Sequence, residues 1–174
     1  MYKYKQQTGF TLMEILVAIV VLSIGLLGIA GLQMQGTRHV HDAQLHTLAA
    51  IQAEDMADRM RANLAGVRDG EYNSRSDTPD DPGCISSECT PAELADYDVF
   101  RWNTDNAAIL PSGGGEISCD DPSGAALANG SEAEIGSRCT IIVRWDANRN
   151  GASGTGCDPD DEDDLRCMRI TMMP

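Results

Sequence analysis

Apolar residues follow three rhythms along this chain, and each predicts a different element. The first is a continuous run from Phe10 to Leu32, in which Ile15 to Leu32 carries no charge. At ~1.5 Å rise per residue a helix of that length crosses a hydrocarbon layer of ~30 Å. The second begins farther on, where Leu45, Leu48, Ala49, Met56, Met60 and Leu64 recur at helical spacing while Gln52, Glu54, Asp58, Arg59 and Arg61 occupy the other faces. No breaker separates the two, so the pattern predicts one helix from about Thr11 to Ala65, ~80 Å long, with Gly66 as its stop. Gly25, Gly28, Gly31 and Gly36 lie inside it. Each costs roughly 1 kcal/mol relative to alanine, which predicts bending or local melting there, while small residues also let neighbouring helices approach closely.

The third rhythm is alternation. Ile141, Val143 and Trp145 alternate with Thr140, Ile142 and Arg144, and Met168, Ile170 and Met172 alternate with Cys167, Arg169 and Thr171. Period two predicts two strands, with a weaker third over Glu116 to Cys119. Between the helical and alternating regions, residues 66–90 carry Gly70, Asn73, Pro79, Asp80, Asp81, Pro82 and Gly83 and read as an exposed connection. Thr90-Pro91-Ala92-Glu93 then supplies a capping threonine, a proline at the first helical position and a glutamate at the third. A second helix from about Pro91 to Ile109 follows, with Val99, Trp102 and Ile109 as its apolar stripe and Pro111 with Gly113 to Gly115 as its end. The expected fold class is α+β, a long helix whose amphipathic half packs on a small antiparallel sheet.

The flanks of the apolar run decide what kind of span it is. A secretory signal peptide has a shorter core, of roughly 7 to 15 residues, followed by a small-residue cleavage site. Here no Ala-x-Ala follows, and polar helix-forming sequence continues directly from the run. Glu14 is the anomaly, because a carboxylate within an apolar span costs on the order of 2.5–3.5 kcal/mol unless it finds a partner or the interface. Cleavage after Gly9 would create an ammonium at Phe10, one helical turn from Glu14, able to pair with it within the chain or in a neighbour.

Gly9-Phe10-Thr11-Leu12-Met13-Glu14, preceded by a leader containing Lys3 and Lys5, closely resembles the class III signal of type IV pilins and type II secretion pseudopilins. The continuation SIGLLGIAGLQ is most similar to minor pilins of the PilV type, the type IV pilus modification proteins. The resemblance implies cleavage between Gly9 and Phe10 by a prepilin peptidase, N-methylation of Phe10, and Glu14 as the glutamate that guides assembly. It also implies the type IV pilin-like fold, with variable loops beside the sheet. Three segments follow: a leader over 1–9, the transmembrane and assembly half of the helix over 10–33, and a globular head over 34–174 that includes the amphipathic half. Implied partners are other minor pilins, the major pilin, the pilus assembly machinery, and a tip adhesin. The alternatives are a type II secretion minor pseudopilin, or a membrane-anchored periplasmic binding or enzyme module.

Charge sharpens this picture. The chain carries 13 basic against 27 acidic residues, a net −14, and both lysines lie in the leader. Nucleic-acid binding, which rests on basic surface, is disfavoured. The leader lysines keep that end cytoplasmic and send the head to the periplasm, from the bacterial inner membrane and later the pilus surface. All six cysteines lie beyond the span, as expected of disulfides in an oxidising compartment, although six cysteines permit 15 pairings. Cys84 and Cys89 are spaced to close a small ring. Ile117 and Cys119 share one strand face, as do Cys139, Ile141, Val143 and Trp145, so a bridge from Cys119 to Cys139 between neighbouring strands is geometrically sensible, and Cys157 to Cys167 then remains.

Other chemistry is sparse. Asp146, Asn148 and Asn150 followed by Gly151 match the first half of a calcium loop, but position 12 is Cys157 in place of glutamate. An Asn-Gly turn beside the acid run 158–164 is the preferred reading, and no cofactor is expected. His39, His41 and His46 form no i, i+4 pair and read as solvated helix residues. Nucleophile elbow, zincin, P-loop and dinucleotide-binding patterns are missing from the sequence, so no catalytic residue is assigned.

Overall fold

The computed structural model describes Gly9 and residues 11–173. Phe10, the leader with Lys3 and Lys5, and Pro174 lie outside the described residues. The elements in order are α1 (Leu12–Ala62), α2 (Leu64–Arg68), α3 (Pro91–Ile109), β1 (Gly114–Asp120), β2 (Arg138–Trp145) and β3 (Arg166–Met172). The strands form one antiparallel sheet in the order β1-β2-β3. The chain divides into a unit ending at Asp42 and a second unit, Ala43–Pro174, which holds the sheet and the core.

Within the second unit the helical stripe meets the alternating strands. Leu45, Ala49, Ala53, Met56, Ala57 and Met60 of α1 are buried with Ala95, Val99 and Trp102 of α3 and with Ile117, Cys119, Cys139, Ile141, Val143 and Trp145 of the sheet. Spacing of three and four residues on the helices, and of two on the strands, puts each set on one face. The indole of Trp102 donates to the Gln52 carbonyl at 2.8 Å, satisfying its buried N–H and tying α3 to α1. Gln52, expected on a polar face, is therefore buried at 8% exposure.

The end of α1 differs from the expectation. The helix stops at Ala62, where Asn63 leaves helical geometry and its side chain accepts from the Gly66 N–H. Gly66 lies inside α2 and stops nothing. A Cβ there would stand 2.6 Å from the Asn63 amide nitrogen and 2.9 Å from the Pro91 carbonyl oxygen, so the position is glycine because the cap of α2 and the first turn of α3 crowd it. Leu64, pushed into α2 by the break, is 42% exposed and not part of the core.

The capping residues of α3 act as the sequence indicates: Thr90 accepts from the Glu93 N–H and the Glu93 carboxylate accepts from the Thr90 N–H. Its stripe is different, because Ile109 is 43% exposed while Asp98, Asn103 and Asn106 are buried. Gly114 and Gly115 belong to β1 and not to the turn that ends α3. A Cβ on Gly115 would run into the Trp102 ring, so glycine lets β1 pass directly over the indole.

The connection over 66–90 is only partly exposed. Val67, Tyr72, Asn73 and Arg75 are buried, and Arg75 exchanges both backbone hydrogen bonds with Ile117, covering the outer edge of β1. The loop 121–137 packs against the same stretch through Asn73, whose amide donates to the carbonyls of Ala128 and Ser131.

Candidate functional site

The N-terminal helix is built to start at a defined place. Thr11 precedes the first helical residue, and its side chain and carbonyl both accept from the Glu14 N–H, at 3.3 and 3.1 Å. A short hydroxyl residue three positions before an acid is an N-terminal signature, and the positive end of the helix dipole favours a carboxylate in the first turn. The sequence reading assigned Glu14 to assembly and missed this local role, although Thr-x-x-Glu was there to be read. Glu14 is exposed, makes no ion pair within the described residues, and shares one side of the helix with Ile15, Ala18, Ile19 and Leu22, which line a shallow groove.

No residue from Thr11 to Gln44 is buried. Among them, fourteen large apolar side chains from Leu12 to Leu32 are each at least 48% exposed. Burying such a side chain is worth ~1.5–3 kcal/mol, so covering this set gains on the order of 20 kcal/mol. That exceeds several-fold the cost of roughly 2.5–3.5 kcal/mol for Glu14 in an apolar layer, so one acid does not prevent the segment from entering one. The helix is long and apolar enough to cross a membrane. Its one central hydroxyl, Ser23, donates to the Ile19 carbonyl at 2.7 Å and so is already satisfied. Helical geometry continues through Gly25, Gly28, Gly31 and Gly36, and a Cβ at any of them would meet nothing within the chain. The helix is continuous through the stretch read as allowing bending, local melting or close approach of neighbouring helices, and among the described residues nothing requires these glycines.

In the second unit, titratable groups gather where α1, α2 and α3 meet. The Tyr72 hydroxyl donates to Asp98 at 2.6 Å and accepts from the Asn63 amide at 3.1 Å. Arg59 reaches Asp98 at 3.4 Å and Asp55 at 2.7 Å. Burial raises the Asp98 carboxyl above its ordinary value, outweighing the Tyr72 hydroxyl and Arg59, which pull it down. Burial and the neighbouring Asp98 push the Tyr72 phenol up as well, far beyond the range in which it could ionise in ordinary buffers. The network therefore ties the end of α1 and the start of α2 to α3 through buried hydrogen bonds. Apart from the i,i+4 pair of Arg59 with Asp55, nothing in local sequence reveals it, because its other contacts join residues 9 to 39 positions apart.

Three disulfides join Cys84 to Cys89, Cys119 to Cys139 and Cys157 to Cys167. The second links residues that face each other across β1 and β2. The calcium candidates have other occupations. Asp146 is buried, and its two carboxylate oxygens accept the N–H groups of Asn150 and Gly151 at 3.4 and 2.9 Å. The Asn150 amide donates to the Glu162 carbonyl, and among the described residues no hydrogen bond engages the Asn148 side chain. His39, His41 and His46 are exposed, His46 standing edge-on to Trp145 at 4.8 Å between ring centres. Among the described residues, no group of three or more His, Cys, Asp or Glu side chains is arranged to hold a metal.

Two family models match consecutive stretches of the chain. The prokaryotic N-terminal methylation motif covers residues 4–30, and type IV pilin Tt1218 covers residues 31–100. The second takes in the remainder of α1, all of α2 and the first half of α3, while the three strands lie beyond both. No curated protein and no solved structure matches the chain.

Proposed function

Because the chain is a type IV pilin, a member of a family of structural subunits and not of enzymes, we propose that it serves as a minor pilin of the PilV type, priming or entering a type IV pilus. The observation that carries this reading is the uncovered apolar half of α1. A side-chain set worth on the order of 20 kcal/mol once covered needs a bilayer before assembly and neighbouring helices after it.

In this reading the prepilin peptidase cuts between Gly9 and Phe10 and the new Phe10 amine is methylated. The helix then anchors the subunit in the inner membrane with the head in the periplasm. Glu14 meets the terminal ammonium of a neighbouring subunit, which removes the cost of an unpaired carboxylate in an apolar layer. Other minor pilins, the major pilin and the assembly machinery are the partners, with a tip adhesin as a further one.

Deletion of the gene is expected to abolish surface pili and twitching while leaving type II secretion intact. Lost secretion with normal pili would make the chain a minor pseudopilin instead. Mass spectrometry of the membrane-extracted protein is expected to find N-methylated Phe10 as the first residue, and an intact Met1 would overturn the processing scheme. Glu14→Ala is expected to leave the melting of the head unchanged and to abolish co-purification with other pilin subunits.

A further inference from the structure

The two edges of the sheet are finished differently. Along β1, the outer side is occupied: Arg75 exchanges both backbone hydrogen bonds with Ile117, and Leu127 donates its N–H to the Cys119 carbonyl. Along β3, cover stops early. Gly154 accepts from the Leu165 N–H just ahead of the strand, and Cys157 is tied to Cys167. From Met168 to Met172 no backbone hydrogen bond reaches the outer side among the described residues. An open row of N–H and C=O groups on a strand with no proline and no bulge is a template for another strand.

The side chains on that edge are unfinished in the same sense. On the core-facing row, Ile141 and Val143 of β2 are fully buried, whereas Met168 and Ile170 of β3, packed against the same core, are only half-buried. Met172, the next member of the row, is buried, so the uncovered part of the row is confined to Met168 and Ile170. Between them, on the opposite face, Arg169 is exposed. It has no carboxylate within ion-pair distance among the described residues, in a chain whose acids outnumber its bases two to one.

We propose that the outer edge of β3, from Met168 to Met172, receives an extended segment of another protein that carries an acidic residue between two apolar ones. The acid pairs with Arg169 on the outer face, and its two neighbours extend the row of Met168 and Ile170 on the inner face. Cross-strand opposite charges and apolar pairs each contribute to such an addition, while the backbone ladder supplies register. A second copy of this chain is the wrong occupant. Antiparallel pairing of β3 with itself brings Arg169 opposite or diagonal to its own counterpart, and like charges so placed are destabilising. Arg169 thereby guards the edge against self-pairing and selects an acidic guest.

The test uses the full-length chain in detergent micelles and two capped eight-residue peptides of alternating Thr and Val. One carries Glu at a central Thr position and the other Lys. Binding is followed by fluorescence anisotropy, and location by backbone amide exchange. The Glu peptide is expected to bind at least tenfold more tightly than the Lys peptide and to slow exchange at 168–172 without slowing it at 114–120. Arg169→Glu, at an exposed position that leaves the thermal melt unchanged, is expected to reverse the preference. Three results would overturn the proposal: no binding of either peptide at millimolar concentration, equal binding of both, or protection of 168–172 that grows with protein concentration in the absence of peptide. The last would assign the edge to a second copy of the chain. None of these outcomes bears on processing at Gly9 or on the pilus phenotype.

Discussion

Tyr72→Phe removes a single oxygen atom and isolates what the buried network contributes. That oxygen donates to Asp98 at 2.6 Å and accepts from Asn63 at 3.1 Å, while the ring around it is fully buried and keeps its packing in the variant. Asn63 retains the Pro91 carbonyl at 2.8 Å, so the loss falls on Asp98, which is left with Arg59 alone. A hydrogen bond to a charged group is worth ~1.5–3 kcal/mol, and about 2 kcal/mol of lost stability is expected at pH 7.5. The pH dependence separates this account from simple loosening. The Asp98 carboxyl is already raised in the folded state, so between that raised value and the ordinary 3.8 the folded chain binds more protons than the unfolded one. Stability from this group therefore grows as the pH falls through that window. The Tyr72 hydroxyl is one of the groups holding the carboxyl down, so removing it raises Asp98 further and enlarges the gain on acidification. The deficit of the variant should be widest near neutral pH and narrow towards pH 4. Urea unfolding of the full chain in micelles, followed by fluorescence of the buried Trp102 and Trp145 with disulfides intact, measures it. A deficit below ~0.5 kcal/mol at pH 7.5 would refute the reasoning about the isolated bond, and a deficit that does not change with pH would refute the role of Asp98.

Three further outcomes are expected. Gly115→Ala places a methyl group against the Trp102 ring and should cost ~1–3 kcal/mol in the same unfolding assay, with a shift in tryptophan emission. Replacing Cys119 and Cys139 together by alanine should cost about 3 kcal/mol and replacing Cys84 and Cys89 about 2 kcal/mol, following loop lengths set by sequence separations of 20 and 5; the reverse order would show that ring size does not govern these bridges. Calcium at millimolar concentration should leave the melting temperature unchanged, because the Asp146 carboxylate is already engaged by the N–H groups of Asn150 and Gly151, and a saturable rise would show that this turn reorganises around the ion.

What could be read from the sequence was whatever neighbouring residues decide among themselves. The capping chemistry of Thr90, Pro91 and Glu93 gave α3 its start, and alternation from Ile141 to Trp145 gave β2 its buried face. The break at Asn63 was hidden because its cause is the approach of Pro91, 28 positions away. Burial of Tyr72, Asn73 and Arg75 was hidden for the same reason: Asp98, Ser131, Asp96 and Ile117 take up most of their polar groups, the buried Arg75 Nε alone lacking a hydrogen bond at 3.6 Å from Asp77, so a stretch with the composition of a solvated loop sits inside the fold. Ile109 was misplaced because periodicity fixes which residues share a face but not how far along a helix the packed face extends. At the N-terminus the apolar run and Glu14 were plain, and the Thr-x-x-Glu spacing that starts the helix at Thr11 was equally local.

None of the three disulfides includes a residue of α1. Covalent reinforcement is confined to the loops and the sheet, while among the described residues the helix is held in the second unit by side-chain packing, the Trp102 bond to Gln52 and the Arg59 pair with Asp98. Under mechanical load applied along α1, the sheet and its loops stay stapled and the helix is the part that can slide. The hold of the helix on the second unit is then set by how Leu45, Met56 and Met60 interdigitate with the core, and a change there would weaken that hold without touching the disulfides.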